Sequence, residues 1–188
     1  MKRVRAFLRR RWWRLAPQSF LRYGAPSAPE LGAAAEELAA RALRRAGWRV
    51  RGRRVRTPHG EVDVVALRAG VLACVEVKAA RVAGRRATLE SPWSPAPADL
   101  RWRPARRVDR RRLARQRRAC RWLAGRLGAA VARVDVIEVW VPRGLAPVVL
   151  HHPDVRRPLP HRVDREKAPG SRRGKAVEDP ARADGLSP

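Results

Sequence analysis

Between Leu31 and Ala46 the apolar positions Leu31, Ala35, Leu38 and Ala42 recur at the spacing of one helical face, and Gly47 follows where a C-terminal cap belongs. This pattern predicts a helix. Trp48 to Arg56 alternates weakly and suits a first strand. Glu61 to Leu67 and Val71 to Lys78 alternate more clearly, and the short link through Arg68, Ala69 and Gly70 predicts a β-hairpin. Asp109 is placed to cap a very basic helix whose apolar stripe is Leu113, Cys120, Leu123 and Leu127, and Gly128 stops it. Val131 to Val141 is a further strand, and Val148 to His151 a short last one. The order α-β-β-β-α-β, with an extra strand at the end, predicts one α/β domain.

The flanks differ in character. Residues 1–29 form a basic arm with Trp12, Trp13 and Phe20 interleaved and a Pro-containing joint at Pro26 and Pro29. Such a segment is expected to be flexible in isolation and suited to a short amphipathic helix on an acidic partner or a membrane surface. The domain is placed at 30–157, with a Pro-, Arg- and Trp-rich insertion at 81–107. The tail 158–188 has few large apolar residues and is expected to be disordered.

The hairpin brings chemistry with it. A two- or four-residue loop centred on Ala69 and Gly70 sets Asp63 opposite Glu76 and Glu61 opposite Lys78. Alternation then puts all four on one face of the sheet, with Val62, Val64, Val75 and Val77 on the other. A slip of one residue would undo this arrangement. Two carboxylates facing each other across adjacent strands repel and raise each other's pKa unless a cation stands between them. Hard carboxylate oxygens are what Mg²⁺ or Mn²⁺ accepts, and such an ion can polarise a phosphodiester and activate water. Lys78, two residues after Glu76, points to the same place, where an ammonium can neutralise charge developing on a phosphate.

Forty arginines stand against four lysines, and Lys78 is the only lysine between residues 30 and 157. A lone lysine beside a carboxylate, in a chain whose habitual cation is arginine, suggests that a compact ammonium is needed there. The bland alternative is a solvated polar sheet face crossed by salt bridges. On the preceding helix, Glu37 shares an arc with Arg41 and Arg44, an ordinary solvated face. Glu36 lies at the edge of the apolar stripe with no basic residue four positions on, a position from which it could point along the sheet toward the carboxylates.

Charge bears on partners. The 44 Lys and Arg against 17 Asp and Glu give a net charge of +27, and residues 1–23 and 81–134 contribute +8 and +13 of it. So positive a field concentrates nucleic acid or acidic membrane. Arg101, Arg103, Arg110, Arg111, Arg112 and Arg115 are the candidate phosphate contacts, and Trp93 and Trp102 could either stack on unpaired bases or pack against the domain. The arm 1–23 could add a weak acidic-membrane contact. Cys74 and Cys120 show no metal-site or disulfide spacing and suit small buried residues of a reducing compartment. No run approaches a membrane span, and Met1 to Arg14 lacks an apolar stretch of signal-peptide length, so a cytoplasmic protein is expected.

Gly32 with Ala35-Glu36, Gly60-Glu61-Val62-Asp63-Val64-Val65, Val75-Glu76-Val77-Lys78 and Arg133-Val134-Asp135-Val136-Ile137 together resemble the YraN family of uncharacterised bacterial proteins. That family is similar to the restriction-endonuclease-like superfamily, whose site is written PD-(D/E)xK and whose members include Holliday-junction resolvases. The resemblance covers about residues 31–157. It implies a restriction-endonuclease-like αβββαβ core with a mixed central sheet flanked by helices. It also implies Asp63 and Glu76 as metal ligands, Lys78 as catalytic lysine and Glu36 as the supporting acid, with Mg²⁺ or Mn²⁺ as cofactor and DNA as partner. Two readings stay open: a metal-dependent nuclease, and a non-catalytic nucleic-acid-binding protein that keeps the fold. Among the remaining polar residues, His59 could reach a phosphate or the metal site but better suits a solvated loop position. His151 and His152 suit surface or packing positions, and Asp135 could be a site member but better suits a partner for a buried arginine.

Overall fold

The computed structural model describes residues 2–82, 105 and 108–158. Its elements are α1 (Lys2–Leu15), α2 (Pro17–Tyr23), α3 (Ala28–Arg45), β1 (Arg49–Thr57), β2 (Gly60–Arg68), β3 (Val71–Val82), α4 (Arg110–Leu127), β4 (Val131–Pro142) and β5 (Val148–His152). The strands form one sheet in chain order, antiparallel throughout except for the parallel pair β3–β4. A parallel neighbour cannot be reached by a tight turn, and α4 makes the crossover. The mixed α/β core predicted from the pattern is therefore the observed one, and every predicted helix and strand lies within a few residues of its place.

Each helix is punctuated by its own chemistry. Ser27 and Glu30 form a capping box at the start of α3, with the Ser27 N–H donating to the Glu30 carboxylate at 2.9 Å. Asp109 caps α4 by accepting from the Arg112 N–H at 2.7 Å, and Gly128 ends it in the left-handed conformation at φ 62°. The sheet is covered on both faces. Ala34, Ala35, Leu38, Ala39 and Leu43 of α3 pack with Val64, Val75, Val77 and Ile137 on one side, while Leu113, Cys120 and Leu123 of α4 pack with Leu72, Cys74, Val134 and Val136 on the other. The small alanines of α3 allow its backbone to lie close to the strands.

Three expectations need correction or restriction. The basic arm is helical in α1 and α2, and Phe20 and Leu21, 0 % and 3 % exposed, belong to the core on the α3 side. Contacts distant in sequence hold it: Arg9 grips Glu30 through two bonds of 2.7 and 2.8 Å, and its guanidinium lies over the Phe20 ring. The insertion begins later than residue 81, because β3 runs on to Val82, paired with β4 as far as Pro142. Most of the remaining insertion, with Arg101, Arg103, Trp93 and Trp102, and the tail after Pro158 lie outside the described residues.

The hairpin loop is the predicted Ala69–Gly70 pair, flanked by Arg68↔Val71, and both of its residues have positive φ, 47° and 75°. Glycine adopts this geometry without strain, whereas alanine meets its own Cβ at a cost of about 1 kcal/mol. Ala69→Asn should therefore stabilise the protein by roughly 0.5–1 kcal/mol. Equilibrium urea unfolding should show the midpoint rising with an unchanged slope; a fall would mean that the loop geometry differs from the one described.

Candidate active site

The site grows from a fork in the sheet. The β2–β3 ladder runs from Arg68↔Val71 to Val64↔Val75 and stops, while β2 stays paired with β1 to its beginning at Gly60. At the same level the alternation of β1 and β2 slips. Arg53 and Val64 are partners on the α3 side, where Arg53 pairs with Glu37 of α3, yet Val55 and Val62, two residues along each strand, sit on the α4 side. Arg54, between Arg53 and Val55, is in the left-handed region at φ 50°, and this kink turns both strands together. Val62 thus faces opposite to the expectation. Val64, Val75 and Val77 face as expected.

Asp63 stands where β2 leaves β3. Its Oδ2 accepts the Val77 N–H at 2.8 Å, so the carboxylate takes the place of the strand carbonyl that the fork removes. Burial and the charge of Glu76 push its carboxyl up to about 6 from an ordinary 3.8, against the opposing pull of the Val77 N–H and Lys78.

Glu76 is fully buried on the α4 face of β3. Three donors meet it: Lys78 Nζ at 2.6 Å and Arg112 Nε at 2.6 Å on Oε1, and Gln116 Nε2 at 2.9 Å on Oε2. Lys78 and Glu76 therefore share a face, and the Lys78 side chain keeps 19 % of its surface open. Glu61 does not join Lys78. Its carboxylate lies 4.0 Å from Arg56 at the exposed edge, and its backbone carbonyl accepts from Gln116 at 3.2 Å, a consequence of the kink.

Glu36 approaches from α3 and is held by Arg54 through two bonds of 2.7 and 3.0 Å. It touches none of the other three, but its charge contributes to raising Asp63. With Arg10, Trp13, Arg14, Arg53 and Arg54 it lines a cleft of ≈ 600 Å³ between α1 and α3. Of the candidate phosphate contacts, Arg110, Arg111 and Arg115 are exposed on α4, whereas Arg112 turns inward to Glu76.

Two contacts at the candidate site escaped the sequence pattern. Gln116 is one of only two side-chain amides in the chain and sits among the apolar residues of α4, between Leu113 and Cys120. That placement was the available signal. Arg54 had none, since no glycine or asparagine marks its conformation. On the other side of Lys78, Glu138 of β4 is its Cα partner, fully buried, and accepts from the Ala105 N–H at 2.9 Å beside His152 Nε2 at 2.9 Å. Asp135 does partner an arginine, Arg133 at 3.0 Å, and also His151 at 2.8 Å. Burial alone would raise its carboxyl; the bonds from His151 and the Asp154 N–H, with the Arg133 charge, hold it below the ordinary value. Both histidines thus make hydrogen bonds to buried carboxylates that the sequence did not suggest. His59 lies in the β1–β2 turn, where its N–H donates to the Thr57 hydroxyl.

Among the described residues, no three His, Cys, Asp or Glu side chains converge closely enough to hold an ion by themselves. The donor set nevertheless fits Mg²⁺ or Mn²⁺, which take one or two carboxylates and complete their shell with water and substrate phosphate. Asp63 is the oxygen donor that a nearby cation would relieve.

A family model described as "Uncharacterised protein family UPF0102" matches residues 35–139. A UPF0102 protein of Rhizorhabdus wittichii is 36 % identical over 115 residues, 60 % of this chain and 82 % of the relative. Another from Parvibaculum lavamentivorans is 49 % identical over 70 residues, 35 % of this chain and 52 % of the relative. One from Granulibacter bethesdensis is 53 % identical over 47 residues, 25 % of this chain and 30 % of the relative. Matches of the latter kind span less than half the length of the relative. The matched region contains the fork, Glu76, Lys78 and the whole of α4, and the chain belongs to the uncharacterised protein family UPF0102.

Proposed function

We propose that this protein hydrolyses phosphodiester bonds of nucleic acid, as a metal-dependent endonuclease acting on DNA. The observation that carries this reading is the fork: Asp63, its carboxyl raised to about 6, beside a buried Glu76 that shares its face with the single lysine of the domain. Asp63 and Glu76 would hold Mg²⁺ or Mn²⁺, which when bound supplies neutralisation of phosphate charge and a more acidic water. Lys78, partly open to solvent and locked on Glu76, offers its ammonium to the oxygens that gain charge as the phosphorus–oxygen bond breaks. Gln116 fixes the Glu76 carboxylate from behind, so its orientation does not depend on the substrate. Glu36, fixed by Arg54, adds negative potential near Asp63 and supports the binding of a cation. The exposed α4 arginines Arg110, Arg111 and Arg115 position the nucleic-acid backbone without reading sequence.

One observation favours a second reading. Glu76 already has two cations within 2.6 Å, so the site is charge-compensated without metal, as a protein that binds nucleic acid without cutting it would require. The two are separated by assaying linear, nicked and four-way DNA with Mg²⁺ and Mn²⁺. Under the enzymatic reading Asp63→Asn and Glu76→Gln each abolish cleavage with the fold intact, and Lys78→Arg fails as well, because a planar guanidinium cannot replace a compact ammonium at this spacing. Wild-type protein that neither cleaves any of these substrates nor binds either metal in calorimetry leaves only the binding reading.

Binding should behave differently from cleavage. DNA affinity should fall steeply between low and physiological salt and survive Asp63→Asn, while Arg110→Ala, Arg111→Ala and Arg115→Ala together should reduce the slope of log affinity against log salt by about 2–3. Affinity indifferent to salt would refute the role of α4.

Asp63 also predicts a pH effect. Its folded pKa lies above the unfolded one, so the charged form costs stability above about pH 6, and the cost disappears as pH falls to 3.8. Asp63→Asn keeps the acceptor for the Val77 N–H and removes the charge. The variant should therefore be more stable than wild type at pH 8, by on the order of 2 kcal/mol, and close to it at pH 4. Saturating Mg²⁺ should narrow the gap at pH 8. Thermal unfolding across this range in both proteins checks it, and a gap that did not change with pH would contradict the assignment.

A further inference from the structure

Seven large hydrophobic side chains are exposed among the described residues. Six of them, Val4, Phe7, Leu8, Trp12, Leu15 and Tyr23, belong to α1 and α2. At helical spacing Val4, Leu8, Trp12 and Leu15 fall within an arc of about 80°, and Phe7 widens it to about 140°. The opposite side of α1 is fastened to the domain. Arg9 grips Glu30, Trp13 packs against the core, and Arg41 of α3 donates to the carbonyls of Arg14 and Leu15 at 2.7 and 3.2 Å. The helix is therefore already formed and oriented, with its apolar stripe outward.

Basic groups accompany the stripe. Residues 1–23 hold eight Lys and Arg and no acid, and Arg5, Arg10, Arg11 and Arg14 are exposed and make no ion pair among the described residues. Arg11 lies over the Phe7 ring, 5.9 Å from its centroid, within the apolar arc itself. Arginines with long apolar stems and Trp beside aliphatic side chains are the composition of a helix lying in a lipid–water interface.

We propose that the outer face of α1 docks on an anionic lipid bilayer. Charge complementarity selects this occupant. A segment with no acidic group matches a uniformly negative plane, whereas a protein groove presents both signs and a nucleic acid has no use for a stripe of Val, Leu and Phe. The position in the fold agrees. α1 packs on α3, on one side of the sheet, and α4 covers the other, so a bilayer against α1 leaves the α4 arginines accessible. This contact is independent of whether the fork is catalytic.

Flotation of the full chain tests it, with vesicles of phosphatidylcholine alone and of phosphatidylcholine mixed with phosphatidylglycerol. Wild type should float with the mixed vesicles and not with the zwitterionic ones, and Trp fluorescence should shift to the blue only with the former. Leu8 and Leu15 are 58 % and 66 % exposed, so Leu8→Gln with Leu15→Gln should leave the melting temperature unchanged while lowering vesicle partition about tenfold or more. DNA affinity of that variant should stay at the wild-type value. Four results overturn the proposal: no flotation of wild type with anionic vesicles; flotation of the double variant at the wild-type level, which makes the attraction charge alone; parallel loss of DNA and vesicle binding; and wild-type self-association that the variant abolishes without any flotation, which makes a second copy the occupant.

Discussion

The buried charge of Glu76 is the constraint on which the rest of the structure turns. A carboxylate with no exposed surface costs several kcal/mol to desolvate unless donors surround it, and removing one partner of such a group typically costs about 3–5 kcal/mol. Here the donors come from two elements. Lys78 is on the same strand, and Arg112 and Gln116 come from the crossover helix. These polar contacts act with Leu113, which lies between Arg112 and Gln116 in the core on the α4 side, to hold the first turns of α4 on the sheet. The parallel β3–β4 pairing needs a crossover in any case, and Glu76 gives the crossover helix two polar anchors on the sheet, Arg112 and Gln116.

The fold was legible in the sequence to the extent that local rules decide it. The two-residue loop between β2 and β3 and the caps at Asp109 and Gly128 are encoded within a few residues of where they act, and each appears where expected; the strand pattern of β2 and β3 holds from the loop as far as Val64 and Val75. Features set by distant partners were not legible. Nothing near Arg9 announces Glu30, so α1 and α2 looked separable although Phe20 is core. The kink at Arg54 is held by the pairing of β1 with β2 and by Glu36, and with the end of the β2–β3 ladder at Val64 it accompanies the separation of Glu61 from Lys78.

The candidate site divides along the same line. That Glu76 and Lys78 share a face follows from a spacing of two in a strand, and it needed only the right element type. The neighbour that completes Glu76 needed tertiary knowledge. Arg112, counted among the residues available for phosphate, is drawn to the nearer anion, because a fixed carboxylate at 2.6 Å outweighs a mobile one in solvent. Arginine content alone therefore overstates the surface that α4 offers, and burial decides which of its arginines face outward.

What distinguishes the fork from a structural salt bridge is the unequal treatment of its two carboxylates. Glu76 receives two cations and an amide, whereas Asp63, close enough to feel its charge, receives one backbone N–H. The fold itself asks of Asp63 only an acceptor for the Val77 N–H. Replacing Asp63 by an uncharged acceptor would still close the open position on Val77 and would remove the repulsion that raises its carboxyl. Stability by itself thus argues against aspartate here, although the two acids of the fork are balanced in number by Lys78 and Arg112, both of which lie on Glu76. Asp63 thus keeps a charge that local stability does not ask for, beside a fixed lysine at the point where two strands part, and under the enzymatic reading proposed above that charge is the one that takes up a cation.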